Sequence, residues 1–342
     1  MINADVSHEL IWKSMKPLLS DRTGKEFSVW KEEIRQKLIE LTGLDKIAKN
    51  ECPVNVQILW EKDEGTYRMI RFTFDSEVGQ TVPCYLLIPK TGKAKYPVAI
   101  TVQGHSSGAY NSIGEIRAEE DKSYQPRGAF ALQAVENGFI ALAIEQRGMG
   151  DLKPSRPNRG SHMNCQYATS VALLLGRTMI GERIWDMHKA IDALAAFAEC
   201  DLDKIMITGS SGGGTTSYYA ACYDERIKLS APSCSFCPYP ESILDIWHCS
   251  CNYIPSAYQW FDMQDLSALI APRRLLVVTG KEDDIFPIEG VQRGFATVQE
   301  IYQEAGAPDN CRLITTPKGH YWCMDIMWPA ILEEAKKLGW EL

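Results

Sequence analysis

From Pro97 onward the chain alternates compact apolar runs with segments of helical length, and that rhythm restricts its architecture more than any other feature. The runs are VAITVQG, IALAIEQRG, KIMITGS, IKLSAPS, RRLLVVTG and CRLITT, each ended by glycine or a polar loop. Between most of them lie GAFALQAVENG, RIWDMHKAIDALAAFAE, GTTSYYAACYDE and EGVQRGFATVQEIYQEAG. A strand that is apolar along its whole length has to be covered on both faces. The pattern therefore predicts an α/β architecture, a mostly parallel sheet with helices on both sides.

Upstream, VNVQILWEK, TYRMIRFTFDS and TVPCYLLIPK are separated by DEG and EVGQ turns, which predicts antiparallel strands at one edge of the same sheet. Earlier still, Trp30, Ile34, Leu38 and Leu41 recur at helical spacing within residues 27–42, as in an amphipathic helix packed on the outside of a domain. No repeat and no Pro/Gly/Ser-rich linker divides the chain. We read residues 1–53 as a helical extension and 54–342 as one catalytic domain.

With 342 residues, 45% of them hydrophobic, there is ample material for a core. The net charge of -8, without a Lys/Arg block, argues against nucleic acid or an anionic membrane as the main partner. No stretch reaches the roughly 18 apolar residues of a membrane span, and the N-terminus lacks a basic segment followed by an apolar run. The eleven cysteines have no regular spacing, so reduced thiols and a cytoplasmic location are expected.

The KIMIT run leads into Gly209-Ser210-Ser211-Gly212-Gly213-Gly214 and then into a helix-compatible stretch. That is the strand, sharp turn and helix context of a G-x-S-x-G nucleophile elbow. Side chains two residues before or after the serine would collide with their neighbours, and Gly209 and Gly213 meet this demand for Ser211. Ser210 is excluded, because Thr208 would take the first glycine position. A phosphate-binding loop would need Lys-Ser/Thr after its last glycine, where this chain has Thr215-Thr216.

A serine hydroxyl needs a general base, usually an imidazole oriented by a carboxylate, and in this context the order is Ser, acid, His. Only His248 and His320 follow Ser211, and His320 sits after the last apolar run, where such a base belongs. The loop Lys281-Glu282-Asp283-Asp284 follows RRLLVVTG and offers the acid; Asp283 is favoured, with Asp284 next. The backbone N–H groups of Gly212 and His105 are the expected oxyanion donors. Trp322, two residues after His320, is the aromatic expected to line a substrate pocket. Arg147, in the EQRGMGD loop, reads as a structural brace.

Cys234-x-x-Cys237, His248 and Cys249-x-Cys251 invite a zinc reading, but the single residue inside the second pair is narrower than the usual turn of a tetrahedral site. Buried thiols and aromatics beside the pocket are the favoured reading. No metal or organic cofactor is required by the serine chemistry.

These landmarks resemble the acetyl xylan esterase-like enzymes of the α/β-hydrolase superfamily, relatives of cephalosporin C deacetylases and dienelactone hydrolases. The resemblance covers about residues 55–340 and is carried by VPCYLLIPK, VQGH, EQRGMGD, GSSGGG, TGKEDDIFP and PKGHYW. The acid of that family lies four residues before the proline of G-x-x-D-x-x-x-P, which selects Asp283. Two departures stand out: Ser211 replaces the cysteine of dienelactone hydrolases, and Gln103-Gly104-His105 replaces the His-Gly-Tyr common in acetyl xylan esterases. The resemblance implies a serine carboxylesterase acting on a short-acyl ester, with an acetylated carbohydrate as one candidate substrate. The alternatives are a peptidase of prolyl-oligopeptidase type, for whose propeller or lid domain the chain has no room, and a non-catalytic metal-linked binding protein.

Overall fold

The computed structural model describes residues 5–106, 108–155 and 164–342. Among the described residues, nine strands form one sheet: β1 (Gln57–Asp63), β2 (Tyr67–Glu77), β3 (Gln80–Pro89), β4 (Tyr96–Val102), β5 (Ile140–Ile144), β6 (Cys200–Ser210), β7 (Ile227–Ser233), β8 (Arg274–Gly280) and β9 (Cys311–Thr316). Their order is β1-β2-β3-β5-β4-β6-β7-β8-β9. The first three strands pair antiparallel and β3 joins β5 antiparallel, whereas β5 through β9 are mutually parallel. The antiparallel edge and parallel body thus occur where the sequence pattern puts them.

The helices are α1 (Asp5–Ser14), α2 (Phe27–Thr42), α3 (Leu44–Ala48), α4 (Phe130–Glu136), α5 (Asn164–Leu174), α6 (Met179–Leu194), α7 (Gly212–Tyr223), α8 (Ala257–Trp260), α9 (Ser267–Ile270), α10 (Ile288–Glu304) and α11 (Met324–Lys337). Successive strand residues point to opposite faces, so the apolar runs feed two cores. Val98, Ile100, Ile205, Ile207, Leu275 and Val277 pack with residues of α2, α6, α7 and α10. Ala99, Met206, Leu276 and Val278 pack with α4 and α11 on the other side. Among the described residues, no helix is long and apolar enough to cross a membrane.

Helix α2 has the bounds its periodicity predicts, and it buries Trp30, Ile34 and Leu38, with Leu41 half-buried. Those side chains belong to the same core as Ile184 and Tyr218. Trp30 Nε1 donates to the Leu19 carbonyl at 2.6 Å, and Thr178 Oγ1 at the start of α6 donates to Thr42 O at 3.1 Å. Arg147, between β5 and α5, grips Asp186 of α6 with Nε at 2.8 Å and Nη2 at 2.7 Å, while Nη1 reaches Glu77 of β2 at 2.7 Å. This buried fork ties three elements together, the bracing role expected of it.

Because α2 shares its core with the sheet, Ile34→Ala is expected to lower unfolding free energy by about 2–5 kcal/mol while unfolding stays a single transition. Urea unfolding followed by tryptophan fluorescence measures this; a separate early transition would make the helical segment independent of the sheet.

Candidate active site

The turn after β6 is built around Ser211, which adopts φ 56° and ψ −125° immediately before α7. A non-glycine residue with positive φ is strained and persists only where its surroundings enforce it. Here they do so by close approach. A Cβ on Gly209 would run into the Val102 carbonyl and come within 2.7 Å of Gly213, and one on Gly213 would lie 2.6 Å from Gln103 O. The Ser211 N–H donates to Ser233 O of the neighbouring β7 at 2.9 Å.

The acid and histidine loops leave the ends of β8 and β9. A Cβ on Gly280 would strike the backbone of Gly319, so the two loops touch main chain to main chain, and Glu282 N donates to Lys318 O at 3.0 Å. This places His320 Nδ1 at 3.0 and 3.2 Å from the two carboxylate oxygens of Asp283. Asp283 Oδ1 also accepts the amides of Ile285 at 2.9 Å and Phe286 at 3.1 Å. Burial raises the Asp283 pKa, but the His320 bond and these amides outweigh it and hold the carboxyl below its ordinary value. Asp284 and Glu282 are exposed, so Asp283 is the acid in contact with His320. The Phe286 ring stacks on His320 at 5.9 Å and fixes its plane.

Cys234, the residue after Ser233, links the two halves. It has φ 49°, and its Sγ, an Asp283 oxygen and a His320 ring nitrogen all lie within 4.8 Å of one another. The strand residue that accepts the Ser211 amide, Ser233, thus directly precedes the cysteine that lies at the His320–Asp283 pair. Burial and the Asp283 charge push the Cys234 thiol up to about 12, so it stays protonated. The sequence signal that sets Cys234 apart from the other cysteines of its segment is its position directly after β7, the strand beside the one that carries Ser211.

On the other flank, the loop after β4 carries Gln103-Gly104-His105 across the turn. A Cβ on Gly212 would be 2.9 Å from the Cε1 and Nδ1 atoms of His105, so the imidazole rests on Gly212. Gln146 Nε2 donates to Gln103 O while its Oε1 accepts Thr216 Oγ1 at 2.6 Å, pinning this loop to α7. All these groups stand at the carboxyl ends of parallel strands where the strand order reverses around β4, the usual ligand crevice of such sheets.

Comparison with known proteins agrees with this fold. The family model described as "Abhydrolase family" matches residues 4–321. The chain belongs to the Abhydrolase family. It is 27% identical over 293 residues to "Putative hydrolase YtaP" of Bacillus subtilis (strain 168), spanning 84% of this chain and 93% of that one. Among solved structures, BF1801 of Bacteroides fragilis NCTC 9343, described as a "putative acetyl xylan esterase", superposes with TM-score 0.79 at 17% identity, covering 97% of this chain and 95% of that one. A glucuronoyl esterase from Solibacter usitatus gives TM-score 0.66 at 15% identity, with 94% and 97% covered. The resemblance seen in the sequence thus holds at the level of family and α/β-hydrolase fold.

Within this Abhydrolase-family site, two expectations need correction. Trp322 does not line a pocket: it is buried, its Nε1 donates to Gln133 Oε1 at 3.0 Å, and its ring lies 4.4 Å from Phe130 in the core under α4. Its neighbour Tyr321 is the exposed aromatic, with the Arg127 guanidinium 4.4 Å from its ring. The cysteine grouping also divides. Cys234 lies at Asp283 and Cys237 near Pro287 O, whereas Cys249 and Cys251 meet Cys165 and His105. His248 belongs to neither set; it is buried, bonds Ser242 Oγ at 2.9 Å and packs edge-on to Phe286.

Burial, followed by the charges of His320 and His105, lowers the His248 pKa to about 4. Between about 6.5 and 4 the unfolded chain binds the extra proton and the folded one does not. The contribution is therefore complete above about 6.5 and declines by roughly 3 kcal/mol as pH falls toward 4. In urea titrations over that range, His248→Gln is expected to show a shallower loss of stability than the parent chain; equal slopes would remove His248 as the source.

Proposed function

We propose that the chain is a serine carboxylesterase that releases a short acyl group from a small ester. The observation that carries this reading is the hydrogen-bonded His320–Asp283 pair at the sheet edge where Ser211 stands in its strained turn. Strain and glycine clearance hold Ser211 at the head of α7. Asp283, bonded to Nδ1, holds the His320 tautomer that leaves Nε2 facing outward as a base.

In this reading Ser211 Oγ attacks the ester carbonyl while its proton passes to His320 Nε2. The Gly212 amide, in the first turn of α7 where the helix ladder has no acceptor for it, and the His105 amide bind the oxyanion. As the intermediate collapses, the C–O bond to the alcohol breaks and His320 returns the proton to the leaving oxygen. Water then attacks the acyl-enzyme with His320 as base, and the carboxylic acid departs. A cysteine mechanism is disfavoured, because Cys234 beside the pair is a buried, protonated thiol.

The substrate side rests on the surface around His320. Tyr321, next to His320 in the chain, is exposed, and the Arg127 guanidinium lies over its ring and over that of Tyr124. Flat aromatic faces with a cation beside them suit a ring-shaped polar alcohol such as a sugar. The acetyl xylan and glucuronoyl esterases that share the fold support a carbohydrate ester, and acetylated sugars are the first class to assay.

Ser211→Ala is expected to lower kcat on 4-nitrophenyl acetate by about 10⁴-fold or more with the fold intact, and Asp283→Asn by a comparable factor with KM little changed. Circular dichroism and steady-state kinetics on the two variants check this. Retention of most of the activity by folded Ser211→Ala would overturn the assignment.

A further inference from the structure

Apart from the Ser211 groups, the densest unused chemistry is a knot of four side chains brought from three parts of the chain. His105 comes from the loop after β4, Cys165 from the first turn of α5, and Cys249 and Cys251 from the segment before Tyr253. One ligand atom from each lies within 4.8 Å of all the others. His105 Nε2 is 3.1 Å and Cys249 Sγ 3.3 Å from Cys251 Sγ. Cys165 and Cys251 are buried, Cys249 is half-buried and His105 forms the outer rim.

Arg183 of α6 supplies an independent observation. It is 1% exposed, and its guanidinium reaches Cys251 Sγ at 3.3 Å and Cys165 Sγ at 3.5 Å. Its remaining bonds go to the Arg147 carbonyl, and no carboxylate among the described residues pairs with it. A buried guanidinium is costly without an anion beside it. Cys251 and Cys165 are the groups that face its charge, and a cation held among the sulfurs would bind them as thiolates.

We propose that His105, Cys165, Cys249 and Cys251 hold one zinc ion in a closed tetrahedral site. Three sulfurs and one imidazole nitrogen are a recurrent structural zinc set, with bonds of about 2.3 Å to sulfur and about 2.0 Å to nitrogen. Three thiolates exceed the charge of a divalent ion by one, and Arg183 supplies the balancing positive charge. The short Cys249-x-Cys251 spacing is no obstacle, because the other two ligands arrive from α5 and the β4 loop. Binding transfers no electrons; each thiol that coordinates gives its proton to solvent. With Nε2 on the metal, the His105 ring is locked against Gly212, which would stiffen the loop bearing the second oxyanion donor. That last consequence rests on the proposed esterase mechanism; the metal site does not.

The test is metal content of the full chain purified under reducing conditions, measured by inductively coupled plasma mass spectrometry. The expectation is about one zinc per chain, kept by Cys237→Ser and Ser211→Ala and largely lost by Cys249→Ser, whose half-buried position favours folding. Because a variant can misfold, the unmodified protein is also exchanged with cobalt(II), which should give the visible ligand-field bands and near-ultraviolet thiolate charge transfer of a tetrahedral sulfur-rich site. Failure to retain added zinc together with absence of the cobalt bands would overturn the proposal. So would a metal-free purified chain with a disulfide mapped among Cys165, Cys249 and Cys251. Zinc retained by Ser211→Ala separates the metal reading from the esterase reading, which stands or falls on its own assay.

Discussion

The candidate active site of this molecule depends on how closely the main chain of Val102 and Gln103 approaches the turn at Ser211. Strands β4 and β6 run parallel with Val102 opposite Gly209, so the end of one strand lies directly against the elbow of the other. Only hydrogen atoms at Gly209 and Gly213 fit into that contact. The approach compresses the turn enough to hold Ser211 at positive φ, and it sets the loop of Gln103–His105 across the first turn of α7. The Ser211 turn and the Gln103–His105 loop are thus placed by one backbone-to-backbone contact, whose strain is offset by the packing of the buried Val98–Val102 and Ile205–Gly209 segments of the two strands.

Loops leaving such an edge lack the ladder bonds of the sheet, and buried charges replace them. Glu145, 2% exposed, accepts the amides of Ala109 and Asp151 at 3.1 Å, which ties the segment after His105 to the turn after Arg147. Burial raises its pKa, and the amide dipoles pull the other way. Arg147 is fixed by Asp186 and Glu77, and its own carbonyl accepts Arg183 at 2.9 Å. These groups form a chain of charge-assisted bonds from β2 through α6 to the rim of the site. Each member desolvated by folding has a partner, which is the condition for a polar network to specify loop positions.

Features governed by local periodicity or by chain order were legible in the sequence. The β7, β8 and β9 runs and helix α2 coincide closely with the observed elements, because an apolar run or an apolar stripe has few ways to be buried. The positions of Ser211, Asp283 and His320 after β6, β8 and β9 were legible for a different reason: strand ends and a glycine pair locate the loops, and the family resemblance added the proline offset that singles out Asp283. Side-chain direction inside irregular loops was not. Adjacent residues at 320–322 face different surroundings, so Tyr321 is exposed while Trp322 enters the core, and counting two residues from His320 could not reveal which. The cysteines failed in the same way, since neighbours in sequence such as Cys234 and Cys251 were separated by loop paths that no pattern encodes.

The loop of residues 103–105 shows why those irregular segments matter. It has no secondary structure of its own, yet in the proposed mechanism its amide geometry has to hold to a fraction of an ångström for oxyanion binding. One support is internal to the sheet edge: Gln146 bonds Gln103 O and Thr216, and Gln103 in turn reaches Ser112 Oγ at 2.7 Å and Gly128 O at 2.8 Å. These bonds fix the root of the loop but not its tip. The tip is held through the His105 ring, wedged between Gly212 and Cys251 Sγ, and through the His105 carbonyl, which accepts the Tyr124 hydroxyl at 3.4 Å. A ring held from two sides restricts the backbone that carries it, so the cysteine knot and the serine elbow act on the same residue from opposite faces.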